Sequence, residues 1–474
     1  MQRELSRRKF LSTSFGAVVG SAMLSHRSFA DTAYFLPQVS AQNQLTSLST
    51  TIQATKRTLE INGKAASVMG LLQPNGTQGM SCVVNDPFAV ILENKLSVPT
   101  AIHWHGLHPP NNEDGVPGVT QPPIRPGASV FYNFPIQPAG THWMHSHQGL
   151  QEALLLAAPL IVHDPADRVR DQQEVVVMLS DYSFTPPEEI YAKLRQKGIS
   201  VVGQRQSPQS MDNMKVGAKP DANDVNYDAY LANDRTLNDP EVVKVEKGGR
   251  VRLRIINGSS GTNFFIDLGS LRGEVIATDG MPVRPFQGGR FPIAIAQRLD
   301  IVINLPSDGG AFPILALREL AVEQTGIVLA TPGATVPRLP VKGATPTGLL
   351  TLDMERKLSA VNPLNPRSAD TTSILRLQGN MSRYEWLIND IAFNVANPAS
   401  EKAQVHVKSG QRVALKFVNE TPMTHPMHLH GHSFEVVAIN DSRFTGALRD
   451  TVLVPGLTSV TVEFDANNPG LWYV

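Results

Sequence analysis

The sequence predicts an all-β chain of three related β-sandwich domains, and three observations carry that expectation. One segment type, alternating apolar residues that end in an asparagine, occurs three times. The copies are Phe88-Ala89-Val90-Ile91-Leu92-Glu93-Asn94, Val251-Arg252-Leu253-Arg254-Ile255-Ile256-Asn257 and Val413-Ala414-Leu415-Lys416-Phe417-Val418-Asn419. Their asparagines lie 163 and 162 residues apart, a domain's length each. The 35 prolines and 36 glycines are scattered as turn punctuation, which suits many short strands better than long helices. A chain of 474 residues is also long enough for about three domains.

Along the chain, residues 1–30 read as an address. Ser6-Arg7-Arg8-Lys9-Phe10-Leu11 resembles the twin-arginine export motif. A weakly apolar stretch over 11–24 follows, then Ser28-Phe29-Ala30, with small residues where a signal peptidase reads. A basic tail with a short buried helix is the plainer reading, but the paired arginines sit where export needs them. The expectation is passage through the twin-arginine translocase to the periplasm, with a mature chain starting near Asp31. No later segment approaches the ~20 apolar residues of a membrane-spanning helix, so no span is expected in the mature chain.

The first domain is expected over 31–167, closing near His163-Asp164-Pro165. The second, 168–345, opens with a strand over 174–179. A short helix is predicted after Thr185-Pro186-Pro187-Glu188-Glu189, which supplies a cap, prolines and acids at its start. The polar stretch 203–223 reads as a mobile surface loop. Proline-rich 331–347 links to the third domain, 346–474. Val245-Glu246-Lys247-Gly248 and Val407-Lys408-Ser409-Gly410 each lead into the repeated strand, apolar on one face.

Composition narrows the partners. Hydrophobic residues make up 41% and charged residues 18%, as in a folded protein with sizeable cores. Basic and acidic residues balance at 42 each, which argues against nucleic acid or an anionic membrane as the main partner. Cys82 is the single cysteine, so no intramolecular disulfide forms. It lies in an apolar run far in sequence from any histidine cluster and is read as an inert buried thiol.

Histidine placement carries the functional signal. Ten of the thirteen histidines fall in three clusters, and none lies between His163 and His406. Nine residues past Asn94 comes His103, with His105 two later; nine past Asn419 comes His428, with His430 two later. Nine past Asn257 comes Ile266, and then Leu268. The first and third domains thus share a site, and the middle one reads as a spacer. A third pair, His145 and His147, follows in the first domain. Residues two apart on a strand face the same way, so each pair can aim two imidazoles at one metal. A single His-x-His pair also occurs in zinc hydrolases, but three pairs, two at equivalent points of related domains, point to one shared metal site. His108, His142 and His432 fall outside the two-residue spacing and are expected as supporting or surface groups.

His103-Trp104-His105-Gly106, His145-Ser146-His147-Gln148-Gly149 and His425-Pro426-Met427-His428-Leu429-His430-Gly431-His432 resemble three of the four signature motifs of the multicopper oxidases. The resemblance spans the whole mature chain and implies three cupredoxin-like Greek-key domains with copper between the first and third. By position it implies His103 and His428 as ligands of the type 2 copper. His105, His145, His147 and His430 become four ligands of the type 3 pair, and His425 one ligand of the type 1 site. A small-molecule donor (a phenol, an amine or Cu(I)) would give up electrons singly, and dioxygen would be reduced to water. Asp114, nine residues after His105 in Glu113-Asp114-Gly115-Val116-Pro117-Gly118, matches the family's proton-donating acid, though Asp-Gly is also an ordinary turn.

The fourth motif, H-C-H, departs from the pattern. Gly140 precedes His145 by five residues, and the corresponding Gly470 would place the next ligand at 475. The third domain is therefore expected to be incomplete at its C-terminus, with a partial type 1 site and poor oxidase activity in the 474-residue chain. A non-catalytic periplasmic copper binder or scaffold is the rival reading. A copper nitrite reductase fits poorly, because it would use two repeats per chain. Met211 and Met214 are too sparse a methionine pair to single out a cuprous donor.

Overall fold

Alternating apolar and polar residues favour strands, and the three repeated segments fold as Val90–Asn94, Arg250–Asn257 and Arg412–Asn419 in a computed structural model of the chain. It describes residues 49–201, 225–380, 384–392, 399 and 405–474. The export signal over 1–30 and the polar stretch 203–223, with Met211 and Met214, lie outside the described residues.

The repeated asparagine has a repeated job. Asn94 accepts from the Leu96 N–H at 2.9 Å and donates to the Val98 and Ile124 carbonyls, both at 2.9 Å. Asn257 accepts from Ser259 N–H at 3.2 Å and donates to Thr262 O at 2.9 Å. Asn419 accepts from Thr421 N–H at 2.9 Å and donates to Met423 O at 2.6 Å and Val454 O at 2.9 Å. Each side chain is buried and satisfies loop backbone that water cannot reach. The loop that leads from this strand to the next is thereby fixed, which in the outer repeats delivers His103 and His428. Asn257→Ala strands two of these backbone groups and is expected to cost about 2–3 kcal/mol, read from a urea unfolding curve.

The described strands form six sheets that face one another in pairs. The first pair sets Lys64–Leu72, Thr50–Ile61, Val90–Asn94 and Ser129–Tyr132 against Met80–Val83, Ala157–His163, Gly140–Ser146 and Ile102–His105. Between them lies a core of Ile52, Leu71, Phe88, Leu92, Trp104 and Tyr132. Phe88 and Trp104 meet edge to face, with centroids 4.8 Å apart. The middle pair has six and five strands around Leu253, Ile255, Phe264, Ile301 and Phe291. The third has an eight-stranded sheet facing the two-stranded His425–His428 and Thr451–Val454, around Leu415, Phe417, Phe434 and Val462. Among the described residues the α-helix Pro187–Val201 stands where Pro187, Glu188 and Glu189 open it. No helix among the described residues is long and apolar enough to cross a membrane.

Arg250–Asn257 is buried on both faces. Leu253 and Ile255 enter the core, while Arg252 and Arg254 lie on the opposite face, against the first sandwich. There Asp300 accepts from Arg252 Nη2 at 2.6 Å, from Arg254 Nη1 at 3.1 Å, and from the Thr141 hydroxyl at 2.5 Å. Glu174 accepts two bonds from Arg254, and Asp167 accepts one from Arg252 at 2.8 Å. Full pairing keeps these buried charges tolerable.

Candidate metal centre

Strand pairing sets the first half of the site. Ile102–His105 runs antiparallel to Gly140–Ser146 with His103 opposite His145. The alternation sends Trp104 and Met144 into the core and the histidines to the other face. Strand period does not place the other pairs. His147 lies one residue past its strand, and His430 follows the end of His425–His428 on a turn. Loop geometry delivers those two imidazoles.

Six rings converge. His105 and His428 stack with centroids 3.7 Å apart and planes 16° from parallel. His103 lies 3.9 Å from His430 and 5.1 Å from His147, and His147 lies 5.0 Å from both His145 and His430. The first and third sandwiches therefore meet at one cluster of imidazoles. His425 belongs to none of the groups of converging metal donors among the described residues. Its Nε2 lies 2.9 Å from the Thr421 hydroxyl and its ring 5.4 Å from Trp386, beside a cavity of about 840 Å³.

Outer partners fix which nitrogen of each ring faces inward. A carbonyl oxygen only accepts, so His103 must donate through Nδ1 to Asp114 O at 2.9 Å, and His428 through Nδ1 to Asp450 O at 2.8 Å. Their Nε2 lone pairs then face each other 3.4 Å apart. His145 donates through Nδ1 to Glu152 at 3.0 Å, and His430 through Nδ1 to Asp114 Oδ2 at 2.8 Å. His105 is reversed: Nε2 bonds Asp450 Oδ1 at 3.2 Å, turning Nδ1 toward His145 Nε2 at 3.3 Å. Two lone pairs facing at such distances repel unless a cation lies between them. Nitrogens each about 2.0–2.1 Å from one ion would lie roughly 3.3–3.4 Å apart at a tetrahedral angle, so the spacing fits. An all-imidazole inner set suits copper.

Electrostatics keep the rings ready to bind. Burial pushes the His105 and His147 imidazoles well below their ordinary range, with neighbouring histidines adding to it. Burial, then His103, takes His430 down to about 3, and burial lowers His428. Neutral imidazole is the metal-binding form.

Asp114 stands on the turn that Asp-Gly suggests and also meets the histidine cluster. It ends the short 3-10 turn Asn111–Glu113, and its carboxylate lies 3.2 Å from His103 Nδ1 as well as bonding His430. Burial would raise its pKa, but the two imidazoles outweigh that and hold the group ionised, below the usual carboxylate range. Gly115 must follow, because its φ is +84° and a Cβ there would stand 1.8 Å from Ile102 O. Of the three histidines left open by spacing, none is a surface group. His142 and His432 are buried, and half-buried His108 bonds Ser433 at 3.0 Å across the two sandwiches. Cys82 pairs through its strand with Val162, and burial pushes its thiol up to about 12, consistent with an inert role.

Several contributors had no sequence signal. Trp143 stacks on His145 with centroids 4.1 Å apart, and Glu152 anchors the same ring. Asp450 and Thr451 hold His105 and His428, and Arg298 of the middle sandwich grips Asp450. The middle repeat is thus more than the spacer its missing histidines suggested.

Comparison with known proteins agrees with this architecture. The chain matches the multicopper oxidase family over residues 53–167, 173–332 and 366–474. The multicopper oxidase MmcO of Mycobacterium tuberculosis is 32% identical over 82% of this chain and 76% of its own length. Laccase-1 of Botryotinia fuckeliana is 26% identical over 96% and 85%, and copper resistance protein A of Escherichia coli 25% over 82% and 83%. Among solved structures, Fet3p, a multicopper oxidase that functions in iron import, superposes with a TM-score of 0.72. It shares 18% identity over 90% of this chain and 86% of that one, a likeness of fold alone. These sandwiches and their converging imidazoles define a cupredoxin-fold copper protein. The chain belongs to the multicopper oxidase family, and a copper-dependent oxidoreductase chemistry comes with that membership.

Proposed function

We propose a copper-dependent oxidase that couples one-electron oxidation of phenolic, amine or Cu(I) donors to the reduction of dioxygen to water, with weak activity expected of the 474 residues themselves, where His425 is the one type 1 match and no cysteine lies beside it. The observation that carries this reading is the set of imidazoles whose inner nitrogens face one another while their outer nitrogens are anchored. His103 and His428 would hold the type 2 copper, and His105, His145, His147 and His430 would contribute to the type 3 pair. His425, apart from the cluster and beside the large cavity, would be one ligand of a partial type 1 site, the point at which a donor would deliver electrons. Bound copper supplies the one-electron steps and the site at which dioxygen is reduced.

The chain's own residues do the rest. Carbonyl and carboxylate acceptors orient the rings before metal arrives, which lowers the cost of binding. Trp143 and the surrounding core exclude water from one side of the cluster. Asp114, ionised at rest and shared by His103 and His430, takes up protons and passes them toward the reacting oxygen. The division into a signal over 1–30 and domains over 31–167, 168–345 and 346–474 belongs to the same reading. So does export of the folded protein by the twin-arginine translocase to the periplasm, which the 6–11 motif supports.

The test is oxygen uptake, with a phenol or Cu(I), by the copper-loaded 474-residue chain and by a form that continues with H-C-H, the second being expected to take up oxygen clearly faster. Four donor electrons consumed per dioxygen is the expected stoichiometry, and a fully metallated longer form that takes up no oxygen overturns the reading. Asp114→Asn, which cannot shuttle a proton, is expected to slow oxygen reduction by on the order of 100-fold at unchanged copper content. Stopped-flow reoxidation of the reduced protein measures that step.

A further inference from the structure

We propose that Arg298, carried by the histidine-free middle sandwich, is a positioning residue that sets the copper-donor geometry of His105 and His428; this rests on the copper reading of the cluster. Arg298 lies on the strand Arg298–Asn304 and is fully buried. An arginine has five N–H donors, and all five are used here. Nε donates to Thr141 O at 3.0 Å, in the first sandwich. Nη1 donates to Ala296 O at 3.0 Å and to Asp450 Oδ1 at 2.7 Å. Nη2 donates to Asp279 O at 3.1 Å and to Asp450 Oδ2. The guanidinium therefore grips the Asp450 carboxylate with both arms, the most directional pairing available to two side chains.

Asp450 is where the grip meets the cluster. Its Oδ1 bonds His105 Nε2, and its backbone carbonyl accepts from His428 Nδ1. One residue thus orients a ring from the first sandwich and a ring from the third. The middle sandwich also clamps both neighbours of Asp450. Asp279 accepts from Arg449 Nη1 at 3.2 Å and from the Thr451 N–H at 3.3 Å, and Gln297 donates to Thr451 O at 3.1 Å. Asp279 is itself tied to Arg298, whose N–H bonds Asp279 Oδ1 at 2.9 Å. The strand that supplies His105 leaves room for this device: at Gly106 a Cβ would stand 2.5 Å from Arg298 Nη2 and 3.0 Å from Asp450 Oδ2.

A charge alone would not do this. A lysine at 298 keeps one positive charge but has a single nitrogen, so it cannot hold both Asp450 oxygens, Thr141 O and Asp279 O together. The clamp therefore makes a specific claim about Arg298→Lys: the folded protein binds copper at the His103–His428 position with altered geometry and lower affinity. Outer partners of metal ligands are typically worth about 10–100-fold in affinity, and a loss of at least about 10-fold is expected.

The experiment compares wild type, R298K and Asp279→Asn in three measurements: apo-protein melting, copper affinity against a competing chelator, and Cu(II) electron paramagnetic resonance. A purely structural arginine would lower the melting temperature and leave the copper spectrum of the folded fraction unchanged. The clamp instead requires a shifted Cu(II) hyperfine splitting and weaker binding in folded R298K, with a smaller shift of the same kind in Asp279→Asn. Wild-type spectrum and affinity in folded R298K overturn the clamp. Should R298K fail to fold, a wild-type spectrum in Asp279→Asn overturns it. A folded wild-type chain that binds no copper at the cluster removes the copper reading, and the clamp with it.

Discussion

Replacing His103 and His428 together by alanine is expected to abolish tight copper binding at the position between those two rings, where the first and third sandwiches meet. Their Nε2 atoms face each other 3.4 Å apart, and each Nδ1 is committed to a backbone carbonyl. No other nitrogen on these rings can rotate inward without breaking a buried hydrogen bond. Outer partners alone change metal affinity by about 10–100-fold, so the loss of two direct donors is expected to exceed that range. Metal analysis after exhaustive dialysis, with the Cu(II) resonance of the remaining ions, reads the result. His406→Ala is the control, because His406 is exposed and lies outside every converging donor group among the described residues. A double variant that keeps its full copper complement and an unchanged spectrum sinks the shared site.

The second large effect concerns stability. Asp300→Ala removes the common acceptor of Arg252, Arg254 and Thr141 at the seam between the first and middle sandwiches. Arg254 is fully buried and Arg252 nearly so, and neither guanidinium can turn to water. Glu174 and Asp167 retain part of the pairing, yet the alanine leaves two cations against fewer anions. Breaking such a buried network costs about 3–5 kcal/mol. Chemical denaturation reads the loss, and proteolysis between the two sandwiches should accelerate. A change below about 1 kcal/mol, the worth of an exposed pair, would show that the seam is wet.

The sequence carried the repeated architecture because each repeat pairs two independent signals, a period-two strand and a terminal asparagine. Asn94, Asn257 and Asn419 recur because the same loop backbone must be satisfied three times. His-x-His was legible for a similar reason: the residue type is rare and the spacing regular. The anchors of those histidines were not. Asp450 and Arg298 are single charged residues beside apolar strands, 152 positions apart, and nothing local distinguishes them from surface charges. Alternation showed one apolar face but was silent on the other, where Arg252 and Arg254 mark a second buried face. Strand period also overreached for His147 and His430, which loops place.

The pair His103 and His428 lies 325 residues apart in the chain, which gives the site an order in time. Domains form as units from the N-terminus during synthesis, so the first sandwich exists while its partner histidines are still unmade. Until the third sandwich docks, His103 has no facing donor from that side, and a copper ion meeting the young chain finds half a coordination shell. Tight retention of metal then reports completed assembly, and an ion bound early remains free to leave. Copper loading is in this sense the last act of folding, coupled to it by the same free energy.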